Sequence, residues 1–107
     1  MPINHVINYQ GENFNELLHQ KELVLVDFFA TWCPPCQKLA PILEEVAVLQ
    51  KEVLFLKVDI DDYRKLTLEH QISSFPTLIL YKNKKELVRQ VGSLDKESLL
   101  VFLNTHQ

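Results

Sequence analysis

Apolar residues fall in runs and at spacings that outline alternating strands and helices. Leu23 to Ala30 (LVLVDFFA) is almost unbroken apolar sequence, as a central strand of a parallel sheet covered on both faces requires. Val53 to Ile60 (VLFLKVDI) repeats the pattern and predicts a second interior strand. Ile3 to Asn8 alternates enough for a first strand. Asn13, with Glu16 three residues on, reads as a helix cap ahead of Phe14, Leu17 and Leu18. After Cys33, the positions Leu39, Leu43 and Val46, joined by Ile42 and Leu49, recur at helical spacing and leave Glu44 and Glu45 for solvent. This predicts a long helix, with Pro41 expected to kink it. Tyr63 to His70 predicts a short helix, and Thr77 to Tyr81 followed by Leu87 to Val91 a hairpin. Lys96 to Asn104, capped by Asp95 and carrying Leu99, Leu100, Phe102 and Leu103, closes the chain as an amphipathic helix. Strands alternating with helices, then a hairpin and a last helix, place the chain in the α/β class, with a sheet parallel in part and antiparallel at one edge.

Size and charge narrow the function. The chain has 107 residues, enough for one domain over 1–107 and no second module. Hydrophobic residues make up 47% and charged residues 23%, the balance of an ordinary globular protein. A formal charge of -3 offers no basic excess for a phosphate backbone, so nucleic acid is not an expected partner. Only Gly11 and Gly92 are glycines, so neither GxGxxG nor a P-loop can be written. The N-terminal MPINHVINYQ has no Lys or Arg and no long apolar stretch. No secretory signal or membrane span is therefore expected, and a cytoplasmic location is.

The chemistry concentrates at Trp32-Cys33-Pro34-Pro35-Cys36, between the apolar strand and the long helix. A disulfide between Cys33 and Cys36 would close too small a loop to staple the fold, so the pair is read as reactive. A helix N-terminus stabilises an anion through its unpaired N–H groups and its dipole, and a thiolate is an anion. Cys33 is thus expected to be the acidified, attacking sulfur. Cys36, one turn inside and shielded, is suited to resolve a mixed disulfide. Pro34 and Pro35 suit the first turn but leave Cys36 and Gln37 as the nearest backbone donors to the sulfur. Structural zinc would need four ligands, and His5, His19, His70 and His106 form no HxxxH or second CxxC arrangement; no metal site is expected. A Cys/His hydrolase would have its nucleophile captured by the neighbouring thiol.

Two further positions stand out. Asp27 interrupts an apolar strand, where desolvation should raise its pKa. It reads either as a proton acceptor for Cys36, through a water, or as a carboxylate satisfied by Lys57 in the other interior strand, and the two are compatible. Phe75-Pro76-Thr77 precedes a strand, where proline is tolerated at the first residue. The four histidines read as solvated, and Tyr9, Tyr63 and Tyr81 as edge residues with wet hydroxyls. Trp32, directly before Cys33, reads as a lid over the sulfurs.

In order and spacing, Asp27-Phe28-Phe29-Ala30-Thr31-Trp32-Cys33 through Cys36, Lys38, Pro41, Lys57-Val58-Asp59, Phe75-Pro76-Thr77 and Val91-Gly92 resemble the thioredoxin family over almost the whole chain. The resemblance implies the thioredoxin fold, a central five-stranded mixed sheet flanked by four helices. It implies a thiol-disulfide oxidoreductase that reduces protein disulfides, with Cys33 as nucleophile, Cys36 as resolving thiol, Asp27 as buried proton acceptor and Lys57 as its partner. It also implies a cis Pro76 facing the disulfide, and an apolar docking surface of Trp32, Pro34, Phe75, Pro76, Val91 and Gly92, on which an extended substrate segment pairs with backbone near Phe75. No bound cofactor is implied. The Cys33–Cys36 disulfide would be recycled by an NADPH-dependent flavin enzyme, thioredoxin reductase, and the protein would act as a monomer. Pro34-Pro35 departs from the usual Gly-Pro and looks like the centre of tryparedoxins and nucleoredoxins. That departure keeps open a dedicated donor to one partner, an oxidase or an isomerase; a non-catalytic binding subunit on the same fold is a different class. Gln37 stands where Lys is common, and the turn Lys82-Asn83-Lys84-Lys85-Glu86 lacks the family's glycine, so Asn83 or a longer loop must supply any positive φ.

Overall fold

A computed structural model describes residues 5–106. Nine elements follow in the order β1 (Val6–Asn8), α1 (Phe14–Leu17), β2 (Leu23–Phe29), α2 (Pro34–Leu49), β3 (Val53–Asp59), α3 (Arg64–Glu69), β4 (Thr77–Lys82), β5 (Lys85–Val91) and α4 (Lys96–Thr105). Of the first predicted strand, Ile3 and Asn4 lie outside the described residues.

The five strands form one sheet in the order β1-β3-β2-β4-β5. β1, β3 and β2 run parallel, β4 is antiparallel to β2, and β5 is antiparallel to β4. β2 is therefore paired on both sides, which is why its apolar sequence shows almost no alternation. Its even positions Val24, Val26 and Phe28 pack with Phe14, Leu17 and Leu18 around α1. Its odd positions Leu23 and Leu25 pack with Leu39, Leu43 and Val46 of α2 and Leu99 and Leu103 of α4. Strand alternation thus divides one apolar run between two cores.

The predicted caps form. Asn13 Oδ1 accepts the Glu16 N–H at 3.1 Å, and Asp95 Oδ1 accepts the Ser98 N–H at 2.8 Å, each satisfying one of the N–H groups a helix start leaves unpaired. α2 continues through Pro41 as a single helix and buries Leu39, Leu43 and Val46, whereas Leu49 in its last turn is exposed. No helix among the described residues is long and apolar enough to cross a membrane.

Three side-chain readings are corrected by the packing. Tyr81 lies in the inner strand β4 and is buried, and its hydroxyl has no protein partner. Burial therefore drives its phenol pKa upward. His70 is half-buried against the rings of Phe14 and Phe28, at 5.0 and 5.5 Å between centroids. Its Nδ1 lies 2.8 Å from the Leu66 carbonyl. His106 is likewise half-buried, 5.2 Å from the Phe102 ring. Polar sequence neighbours did not reveal these contacts because each forms across a helix turn or between elements.

The β4–β5 turn is tighter than the five-residue segment suggested. Asn83 and Lys84 alone connect the strands, with φ of 51° and 72°. Positive φ at both central residues suits the right-handed twist of a hairpin, and asparagine tolerates it better than lysine. Lys84→Gly is expected to stabilise the fold by about 1 kcal/mol, read as a higher urea midpoint with an unchanged m-value.

Candidate active site

The carboxyl end of β2 meets the amino end of α2 at the two cysteines, where the strand's last apolar residues give way to a proline-started helix. Cys33 is the helix N-cap, with an extended backbone at φ -95° and ψ 113°. Its Sγ accepts the Cys36 N–H at 3.3 Å. Of the two expected donors only Cys36 reaches the sulfur, because the Gln37 N–H bonds to the Cys33 carbonyl at 3.0 Å. Pro34 and Pro35 have no N–H to offer. The Cys33 thiol in turn lies 3.6 Å from the Phe75 carbonyl. Both cysteines are free thiols, and both are buried, Cys33 at 6% exposure and Cys36 at 3%. Cys33 is thus almost as enclosed as Cys36, because the N-cap geometry tucks its sulfur under the loop that carries Phe75.

Behind the cysteines lies Asp27. It shares the sheet face of Leu23 and Leu25, is 1% exposed, and neither carboxylate oxygen has a hydrogen-bond partner. Burial raises its pKa to about 7, and the nearby Lys57 charge only partly opposes this. Lys57 is the cross-strand neighbour of Asp27 in the β2–β3 register. Its ammonium, however, sits 4.4 Å from the centroid of the Phe29 ring and makes no ion pair with Asp27. The reading of Asp27 as a carboxylate satisfied directly by Lys57 is therefore corrected: the register brings the backbones together, while the long lysine stem carries its charge to the aromatic face at the sheet end.

Cys36 is held in its thiol form. Burial, followed by hydrogen bonding to Cys33, pushes its pKa up to about 12, and the charges of Cys33 and Asp27 act in the same direction against a lowering contribution from the Ala30 backbone. A thiol so placed cannot attack without giving its proton to a nearby base. Asp27, ionising near neutral pH, is matched to that role.

The rim comes from three loops. The Phe75–Pro76 peptide bond is cis, and Pro76, expected on the docking surface, is buried. Trp32, Pro34 and Val91 are exposed, while Phe75 and Gly92 are half-buried. The Gly92 N–H bonds to the Pro76 carbonyl at 2.8 Å, joining two parts of the rim. Trp32 is 62% exposed. Its ring meets Phe75 edge-on at 6.0 Å between centroids, and its indole N–H donates to Asp61 Oδ2 at 2.8 Å. Asp61 escaped the sequence reading. The available signal was the acidic run Asp59-Ile60-Asp61-Asp62 at the end of the strand that pairs with β2. Gln37, which stands where lysine was expected, returns its side-chain amide to the Thr31 carbonyl at 2.8 Å. Among the described residues no group of three or more His, Cys, Asp or Glu could hold a metal ion.

Comparison with known proteins agrees with this arrangement. The Thioredoxin family model matches residues 5–105. Thioredoxin of Chlamydia trachomatis is 47% identical over 96 residues, covering 90% of this chain and 93% of that protein. Thioredoxin 1 of Plasmodium falciparum is 39% identical over 90 residues, covering 84% and 86%. Among solved structures, Plasmodium falciparum thioredoxin superimposes with a TM-score of 0.87 at 33% identity, covering 95% of this chain and 100% of that one. Thioredoxin NaTrxh of Nicotiana alata also gives 0.87, at 30% identity and with 100% and 96% coverage.

Proposed function

The chain belongs to the thioredoxin family and is a thiol-disulfide oxidoreductase, and from that premise we propose how its residues divide the work. Cys33 attacks one sulfur of a target disulfide and displaces the other as a thiolate. Cys36 gives its proton to Asp27 and attacks Cys33 Sγ, which releases the second target sulfur as a thiolate. The target gains two electrons and two protons, the Cys33 proton and, by way of Asp27, the Cys36 proton having passed to solvent, and the chain is left with a Cys33–Cys36 disulfide. The family uses its own cysteines and no bound cofactor. Return of the disulfide to the dithiol falls to an NADPH-dependent flavin reductase of the thioredoxin-reductase class.

The observation that carries this reading is that Cys36 and Asp27 are both buried, with neither oxygen of the Asp27 carboxyl partnered. Two of the causes that hold the Cys36 proton in place come from Cys33, its hydrogen bond and its charge. Both disappear once Cys33 is bonded to a target, so the resolving thiol becomes more acidic when it is needed. Lys57 moderates Asp27 without neutralising it. Trp32, Pro34, Phe75, Val91 and Gly92 present the docking surface, with Pro76 behind it, and the protein works as a cytoplasmic monomer.

The Pro34-Pro35 pair favours reduction over oxidation. A strong oxidant stabilises its reduced form, whereas here a single backbone N–H reaches the Cys33 sulfur. Equilibration with glutathione buffers, followed by thiol alkylation, is expected to place the couple on the reducing side of the glutathione pool. A couple on the oxidising side would assign the protein to the oxidases or isomerases instead.

A further inference from the structure

Beyond the rim, toward α3, lies a cavity of about 200 Å³ that shares only Phe75 with the docking surface above. Ile60 and Ile72 form a buried apolar floor, and Leu68, 75% exposed, stands at its edge. The cavity adjoins the reactive sulfur through Phe75, whose carbonyl is 3.6 Å from Cys33 Sγ. Two charged residues line it, Asp61 and Arg64. Asp61 is engaged, because its Oδ2 accepts the Trp32 indole N–H. Arg64 is exposed, and its guanidinium has no ion pair or side-chain hydrogen bond among the described residues. The five N–H donors of a residue that lines an apolar slot next to the site of attack are therefore unengaged.

We propose that this cavity is a specificity subsite, in which Arg64 selects disulfide targets that carry a glutamate beside the attacked cysteine. The assignment rests on the reductase reading above. An extended segment laid along Phe75 directs alternate side chains to opposite sides, so one that flanks the cysteine can enter the slot. The apolar floor suits the two methylenes of glutamate, and the guanidinium fork matches its carboxylate. Asp61 leaves a negative charge on the same wall and limits the preference to a few-fold. Leu68 shields one side of the pair from water, and Phe75 fixes the segment over the sulfur.

Three disulfide peptides that differ only in a Glu, Gln or Lys next to the cysteine test the assignment, with kcat/KM measured for the unsubstituted protein and for R64Q and R64E. The unsubstituted protein is expected to prefer the Glu over the Lys peptide by about threefold at low salt, as for a partly exposed ion pair. The preference should fade toward parity in 1 M salt. R64Q should flatten it and R64E should reverse it, with the Gln peptide changed little by either. Arg64 is exposed and unpaired, so neither variant removes a contact that the fold uses. An R64E protein that keeps the original Glu-to-Lys ratio would overturn the subsite. Failure of the unsubstituted protein to reduce any of the three peptides would overturn the reductase reading and the subsite with it.

Discussion

Replacing Cys36 with serine is expected to turn the protein into a trap. Cys33 keeps its N-cap position and still attacks, but no second sulfur lies behind it, so the mixed disulfide with the target persists. Disulfide-bearing partners should accumulate on the variant in a cell extract as species that dithiothreitol releases. The companion change Cys33→Ser removes the nucleophile, and acceleration of insulin reduction by dithiothreitol should fall to the uncatalysed rate. The pair of variants separates an exchange catalyst from a binding subunit on the same fold. A Cys33→Ser protein that retained the acceleration, or a Cys36→Ser protein that collected nothing, would remove the dithiol mechanism.

Asp27→Asn is expected to have the largest effect on stability. The carboxyl has no partner, and its pKa is about 7 in the folded protein against an ordinary value of 3.8. The folded state therefore holds this proton more tightly than the unfolded chain does. Below about pH 4 both states are protonated and the group costs nothing by this route. From there stability falls as the pH rises, and above about pH 7 the full penalty is present, on the order of 4 kcal/mol. Asparagine resembles the protonated acid in shape and charge, so the variant should match the parent near pH 4 and exceed it by a few kcal/mol at pH 8. Denaturant unfolding across that range measures the difference. On the proposed mechanism the same change also removes the base for Cys36, so resolution of the mixed disulfide should slow at neutral pH while the first attack does not. Equal stability of variant and parent at pH 8 would show that Asp27 is not the unpaired acid described above.

On the proposed mechanism, stability given up at Asp27 and turnover gained there are two results of one burial. The burial is legible in the sequence, since a carboxylate inside LVLVDFFA interrupts a strand that is apolar on both faces. β2 and β3 are equally legible because strands paired on both sides must be apolar on both faces. α2 is legible because its buried positions recur every three or four residues, and the Cys33–Cys36 spacing needs only the helix start that precedes it. What the sequence conceals are contacts between segments far apart in the chain. Trp32 meets Asp61 across 29 positions, and the acidic run around Asp61 does not say which residue it meets. Lys57 shows the limit of register as a guide: its backbone pairs with that of Asp27, yet its charge lies over Phe29. Pro76 shows the same limit for a surface inferred from motif alone, since its place in the motif does not reveal that it is buried.

β4 leaves the cysteine end of the sheet at Thr77 and reaches the Asn83-Lys84 turn after six residues, a separation of about 20 Å at the rise of an extended strand. Anything fastened to that turn stands clear of the sulfurs. A tether to an electrode or a bead, or a reporter dye attached at position 84, would hold the molecule with its reactive pair pointing outward. Electron delivery could then be measured on an oriented layer of the protein.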